Sequence, residues 1–213
     1  MKFSESESMK VNIRILCFSI LFMVSESVIS QTKPINQFNS DIEVLFTNTT
    51  SFKDYSNVDL KNIIATTRKD IKIKSSSLSK DNDGEDFVFM EDTISINAFY
   101  KIIAEGTSAQ AQNEGFIFYN NAYDLLLNKY YKLALGILSE EYKKQLIISQ
   151  RRWLDYYTKE KDFLLGLYST GLANSLLYIW PNVNEIIEQR VNTLHYIYLG
   201  INNNERAFKD FKD

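Results

Sequence analysis

Residues 116–137 read FIFYNNAYDLLLNKYYKLALGI. Phe116, Tyr119, Tyr123, Leu126, Tyr130, Leu133 and Ile137 recur at alternating steps of three and four, which lines them along one face of an α-helix. Ser139 stands where it caps a second helix, with Glu140 and Glu141 in the first turn, beside the positive end of the helix dipole. That helix carries the stripe Tyr142, Leu146, Ser149, Trp153, Tyr156, Glu160, Phe163 and Leu167, and Gly171 is its stop. Pro181 precedes a third stripe of Val183, Ile187, Arg190, Leu194, Ile197 and Ile201, with Gly200 marking the end. Three helices with short connections predict a mainly α fold, an antiparallel three-helix bundle over residues 108–201 followed by a polar tail, 202–213. The aromatic stripe reads as core rather than as a ligand platform.

Upstream, residues 31–107 are rich in Ser, Thr, Asn and Asp. Ile42–Phe46 alternates weakly, and Asp70–Lys74, Asp-Ile-Lys-Ile-Lys, alternates like a strand. Leu78–Asp86 reads as a polar loop and Phe87–Met90 as a short apolar run. Ile94–Ala104 reads as a helix ended by Gly106. The expectation here is an irregular or mixed region.

Further upstream, Met9–Ser30 has the pattern of a secretory signal: Lys10 and Arg14, the apolar run Ile15–Val24, then Val28 and Ser30 before a cut at Gln31. The run is shorter than the roughly 20 residues of a membrane span, although a signal anchor is the alternative reading. Residues 1–30 are therefore expected to be removed, which places the mature chain in the periplasm or outside the cell without a transmembrane segment. Lys2, Lys10 and Arg14 cancel Glu5, Glu7 and Glu26 there, and the one cysteine, Cys17, leaves with them. An exported chain without disulfides depends on its core.

The chain has 213 residues, 24 Lys+Arg against 27 Asp+Glu, and a net charge of −3, without the basic excess of a nucleic-acid binder. One histidine and one cysteine leave little for a zinc site or a His-based catalytic centre. Asp81–Asp86 resembles part of a calcium loop, but Ser79 and Met90 stand at the first and twelfth places, so a solvated turn is expected. Asn48-Thr49-Thr50 is a glycosylation sequon. His195, beside the third stripe, reads as structural, and no Gly-rich phosphate loop is present. Scattered acidic residues leave a paired-carboxylate enzyme open, but the expectation is a non-enzyme without metal or cofactor.

Glu160 and Arg190 break the apolar rule of their stripes, and a charge facing a core is costly unless paired. Arg190 is expected to meet Glu160, or else Asp124; the alternative is that both charges snorkel to solvent. Asp124 and Asn128, four apart, share a helix face. Gln150 and Arg151 flank the second stripe and could bond to them or to loop backbone. Arg151, Arg152, Lys143 and Lys144 form either a binding face or a solvated basic one, the latter expected.

The order Asn113-Glu114, Asp124, Leu127-Asn128-Lys129-Tyr130-Tyr131, Ser149-Gln150-Arg151-Arg152-Trp153-Leu154-Asp155-Tyr156, Gly171 and Gln189-Arg190-Val191-Asn192-Thr193-Leu194 resembles the lysozyme inhibitor LprI-like domain, a small helical domain of exported bacterial proteins. The resemblance covers about residues 108–199. Its motif set is Asn113, Asp124, Leu127, Asn128, Tyr131, Gln150, Arg151, Trp153, Tyr156, Glu160, Gly171, Arg190 and Leu194, read as architectural. Where that family carries cysteines, this chain has Gly115, Lys161 and a residue near Pro181, and Tyr157-Thr158 replaces its usual Arg-Asp. The resemblance implies a protein-binding module, with lysozyme as the partner and occlusion of its glycan cleft as the means. The alternative is a periplasmic structural or interaction domain with another protein partner.

Overall fold

The computed structural model describes residues 35–50, 56–78, 84–105, 108–169 and 176–210, and these form six α-helices without a strand among them. They are α1 (Ile35–Thr49), α2 (Asn57–Leu78), α3 (Gly84–Ala104), α4 (Ala109–Ile137), α5 (Glu140–Ser169) and α6 (Leu176–Asp210). The mainly α expectation holds, but the three-helix bundle does not: six helices belong to one unit spanning residues 33–213. The signal segment, Asp81–Asp83 and Gly171 lie outside the described residues.

The irregular or mixed reading of residues 31–107 is overturned by helical spacing that short windows hide. Phe38, Ile42 and Phe46 are buried at steps of four on α1. Thr67, Ile71 and Ser75 are buried at the same steps on α2, whereas Ile73 is exposed. The Asp70–Lys74 alternation is thus a local coincidence inside a longer helical stripe. The abundant hydroxyls do not break these helices because they fold back on the backbone. Thr50 Oγ1 donates to the Phe46 carbonyl (2.9 Å), Thr67 Oγ1 to that of Ile63 (2.8 Å) and Ser75 Oγ to that of Ile71 (2.9 Å). Ser56 and Asp59 cap α2 reciprocally: Ser56 Oγ accepts from Asp59 N (3.2 Å) and Asp59 Oδ2 from Ser56 N (3.1 Å). Gly84, at φ 68°, opens α3, so Phe87–Met90 and the expected Ile94–Ala104 helix form one continuous element.

α4 is the central helix, packed against α6, α3 and α1; α2 packs on α3, and α5 on α6. Its N-terminus is capped by Ser108 Oγ, which accepts from Ala111 N (3.1 Å). Side-chain pairs give the directions. Tyr100–Tyr119 and Asp92–Lys129 make α3 and α4 antiparallel, Gln150–Arg190 and Lys161–Trp180 make α5 and α6 antiparallel, and Asn113–Trp180 and Tyr130–Tyr198 make α4 and α6 parallel. One cluster joins Ile42, Phe46, Ile96, Phe99, Phe118, Leu126, Tyr130 and Leu194 from α1, α3, α4 and α6. A smaller one, Ile179, Trp180 and Val183, packs against Phe116, Tyr157 and Leu164.

Two ends differ from the sequence reading. Pro181 lies inside α6, as its sixth residue, rather than ahead of it, and its missing N–H removes the bond that a residue there would give to the carbonyl one turn back. Gly200 does not end α6, which continues to Asp210 through what reads as a polar tail.

Gly115 sits where α4 approaches α3. A Cβ built there lies 3.1 Å from Ala104 Cβ and 3.2 Å from Tyr100 Cε2. Gly115→Val is therefore expected to lower unfolding free energy by about 1–3 kcal/mol in urea titration, through overpacking of this contact.

Candidate functional site

The second stripe decides which face of α5 meets the protein and which meets solvent. The residues turned inward are Leu146, Gln150, Trp153, Tyr157 and Leu164; Tyr142, Tyr156 and Phe163, expected in the core, are 57%, 51% and 58% exposed. The face is rotated by about one residue over the second half of the helix, so Tyr157 replaces Tyr156 as the packing tyrosine. Trp153 holds this register by stacking on Tyr157, with ring centroids 5.1 Å apart and planes at 7°.

Arg190 leans from α6 into this seam, but no carboxylate among the described residues receives it. Its Nε donates to Gln150 Oε1 (2.9 Å), its Nη2 donates to Ser149 Oγ (3.2 Å), and the guanidinium lies 5.9 Å from the centroid of the Trp153 ring. Glu160, the expected partner, forms no ion pair with it among the described residues, and Asp124 is engaged elsewhere. Burial pulls the guanidinium below its ordinary value, while Tyr131 acts weakly the other way. Burial also raises Tyr131, against the pull of Arg151 and Arg190. Trp153, Tyr156, Ile186, Gln189, Arg190 and Thr193 line a shallow open groove of about 250 Å³ on the α5–α6 seam.

Behind the groove is a polar network that sequence reasoning missed. Asn120 is buried; its Nδ2 donates to Tyr157 Oη (2.7 Å) and Asn184 Oδ1 (3.1 Å), and its Oδ1 accepts from Tyr157 Oη (2.9 Å) and Lys161 Nζ (3.1 Å). Lys161 also lies 5.7 Å from the ring centroids of Tyr157 and Trp180. Asn113 Oδ1 accepts from Trp180 Nε1 (3.0 Å), and Asn128 Nδ2 donates to the Asp124 carbonyl (2.8 Å) and Oδ2 (3.2 Å). Burial raises Asp124, and Lys161 and Asn128 pull it down. The available signal was an asparagine on each of two apolar faces, Asn120 between Phe118 and Ala122 and Asn184 beside Val183.

The motif set thus divides. Gln150, Trp153, Tyr156 and Arg190 converge on the groove, and Tyr131 feels the same charges. Asp124, Asn128 and Asn113 hold the polar seam, Leu127 and Leu194 are core, and Glu160 is half-buried. Arg151 is exposed, away from the groove lining. In the basic run Lys143 pairs with Glu140 (2.7 Å).

A second titratable cluster surrounds His195. The ring is buried and stacked on Phe89 (4.1 Å, 6°); its Nε2 lies 2.9 Å from Asp86 Oδ1, and its Nδ1 has no hydrogen-bond partner among the described residues. Asp86, placed by the sequence in a calcium-like loop, instead sits on helix α3. Nearby, Lys129 Nζ meets the buried Asp92 at 2.5 Å, and burial lifts the Asp92 carboxyl to about 6 although Lys129 pulls it down. Among the described residues no group of His, Cys, Asp or Glu could hold a metal, and no helix is long and apolar enough to cross a membrane. Compared with protein-family models, with curated proteins and with solved structures, the chain matches none.

Two outcomes are expected here. Tyr157→Phe removes the hydroxyl shared with Asn120 and should cost about 1–3 kcal/mol in urea unfolding. Asp92 titrates near 6 when folded against an ordinary 3.8, so the folded chain holds that proton more tightly, and its contribution to stability falls as pH rises from about 4 to about 6. Relative to Asp92→Asn, the wild type should be more stable at about pH 4.5 than at about pH 7, by on the order of 2 kcal/mol in paired urea titrations.

Proposed function

We propose that the chain is an exported, non-enzymatic protein-binding module of the bacterial envelope that inhibits lysozyme by occluding its glycan cleft. The observation that supports this reading is the row Tyr142, Tyr156 and Phe163, all more than half exposed at multiples of seven residues on one flank of α5. Large side chains in a row facing water mark a surface that gains free energy when a partner covers it. Its position beside the motif residues Trp153 and Arg190 supports the resemblance as the guide to the partner. Trp153 keeps an architectural role: it fixes the register of α5, and that register puts the row outside.

A second reading, an interaction domain for a partner other than lysozyme, is favoured by the groove. A concave site suits a protruding segment, whereas a glycan cleft is itself concave. The purified chain, titrated into a lysozyme turnover assay, should suppress cell-wall hydrolysis, and the double variant Tyr156→Ala/Phe163→Ala should lose at least about tenfold in potency. Full turnover at large excess of the chain would refute inhibition. Recovery of a defined envelope protein by the wild type and not by the double variant would then establish the second reading.

A further inference from the structure

Arg190 is a charge on the α5–α6 seam without a carboxylate partner among the described residues. It is half-buried at a groove whose other lining groups are neutral: Trp153, Tyr156, Ile186, Gln189 and Thr193. Its hydrogen bonds go to an amide oxygen and a hydroxyl, which orient a guanidinium without neutralising it. Two of the five N–H donors of an arginine are used in this way. The remaining donors form a planar fork suited to the two oxygens of a carboxylate. The fork is also preorganised: Gln150 is buried, so the acceptor of Nε is fixed, and the Trp153 ring, held by its stack on Tyr157, lies against the guanidinium. A charge already partly stripped of water, and already oriented, requires little further desolvation or ordering to bind.

We infer that the α5–α6 groove receives an acidic side chain, a Glu or Asp carried on a protruding segment of a protein partner, which pairs with Arg190 while flanking apolar side chains cover Trp153 and Tyr156. The inference rests on the proposed role of this face in protein binding and adds what the partner presents to it. Charge complementarity selects the occupant: an apolar segment alone would bury the guanidinium further with no counter-charge, which is unfavourable. A basic segment would meet Arg190 with like charge, and Arg152, one turn before Tyr156 on α5, would add to that repulsion.

The test uses three peptides with the full chain and reads the Arg190 Nε–H and Trp153 indole N–H signals by NMR. The first is acetyl-Ala-Phe-Glu-Leu-Ala-amide, the second its glutamine twin, and the third the glutamine twin with a free C-terminal carboxylate. At up to about 5 mM the glutamate peptide should move both signals, bind at least about fivefold more tightly than its glutamine twin, and weaken between about 0.1 M and about 0.5 M salt. Arg190→Gln should abolish the preference and Arg190→Lys should restore part of it. If Arg190→Gln does not fold, Arg190→Lys alone should reduce the glutamate preference, whereas Tyr156→Ala, at an exposed position, should weaken both peptides and leave that preference in place. Equal binding of the glutamate and glutamine peptides would overturn the carboxylate while leaving the face as a protein-binding surface. Preference for the third peptide would overturn the side chain in favour of a chain terminus. Absence of any shift at these two signals would overturn the groove as the receptor. The lysozyme assay with Tyr156→Ala/Phe163→Ala reports separately on the function of the face.

Discussion

The arrangement of helices depends on one ring. Tyr130, fully buried at the middle of α4's packed surface, meets Phe89 of α3 edge-on at 5.2 Å, His195 of α6 edge-on at 5.1 Å, and Tyr198 of α6 at 6.4 Å. Its neighbour Lys129 ties α4 to α3 through Asp92 and lies 5.1 Å from the Phe38 ring of α1. Three helices thus converge within two residues of α4. A central helix of this kind must be apolar over most of its circumference, which is why Phe118, Ala122, Leu126, Leu127 and Ala134 are all buried although they do not form one narrow seam.

That width explains what could be read from the sequence. The long periodic runs of α4, α5 and α6 announce themselves, because their apolar residues are large and recur over several turns. The first three helices do so only over Ile94–Ala104 of α3, because Thr50, Thr67 and Ser75 occupy buried positions that a hydrophobic pattern expects to be aliphatic. Their hydroxyls are satisfied by the carbonyl one turn back, a local solution that leaves no trace in hydropathy.

For the candidate site, Trp153 and Arg190 were legible as stripe positions, but neither the pairing of Arg190 with Gln150 nor the face of α5 was. Tyr156 and Tyr157 are adjacent and chemically identical, and what decides between them lies outside their own sequence, in the Trp153 ring and the asparagines on α4 and α6. Tyr157 fits because its hydroxyl takes the second N–H of Asn120, whose other N–H goes to Asn184 and whose oxygen also accepts from Lys161. A seam that depends on polar matching rather than on apolar area specifies register closely while contributing modest net stability. Arg190 follows the same logic: neutral partners fix its direction and leave its charge for something else.

The two tryptophans of the chain add an optical consequence. Trp153 belongs to α5 and lies against Tyr157 and Arg190; Trp180 belongs to α6 and touches Asn113 of α4 and Lys161 of α5. Both indoles therefore sit along the attachment of α5, and neither lies within the α1–α3 part of the core. Intrinsic tryptophan emission from this protein is a local gauge of that one seam, whereas far-ultraviolet dichroism averages over the helices, and an emission change that precedes the loss of dichroism during unfolding would mark α5 leaving first.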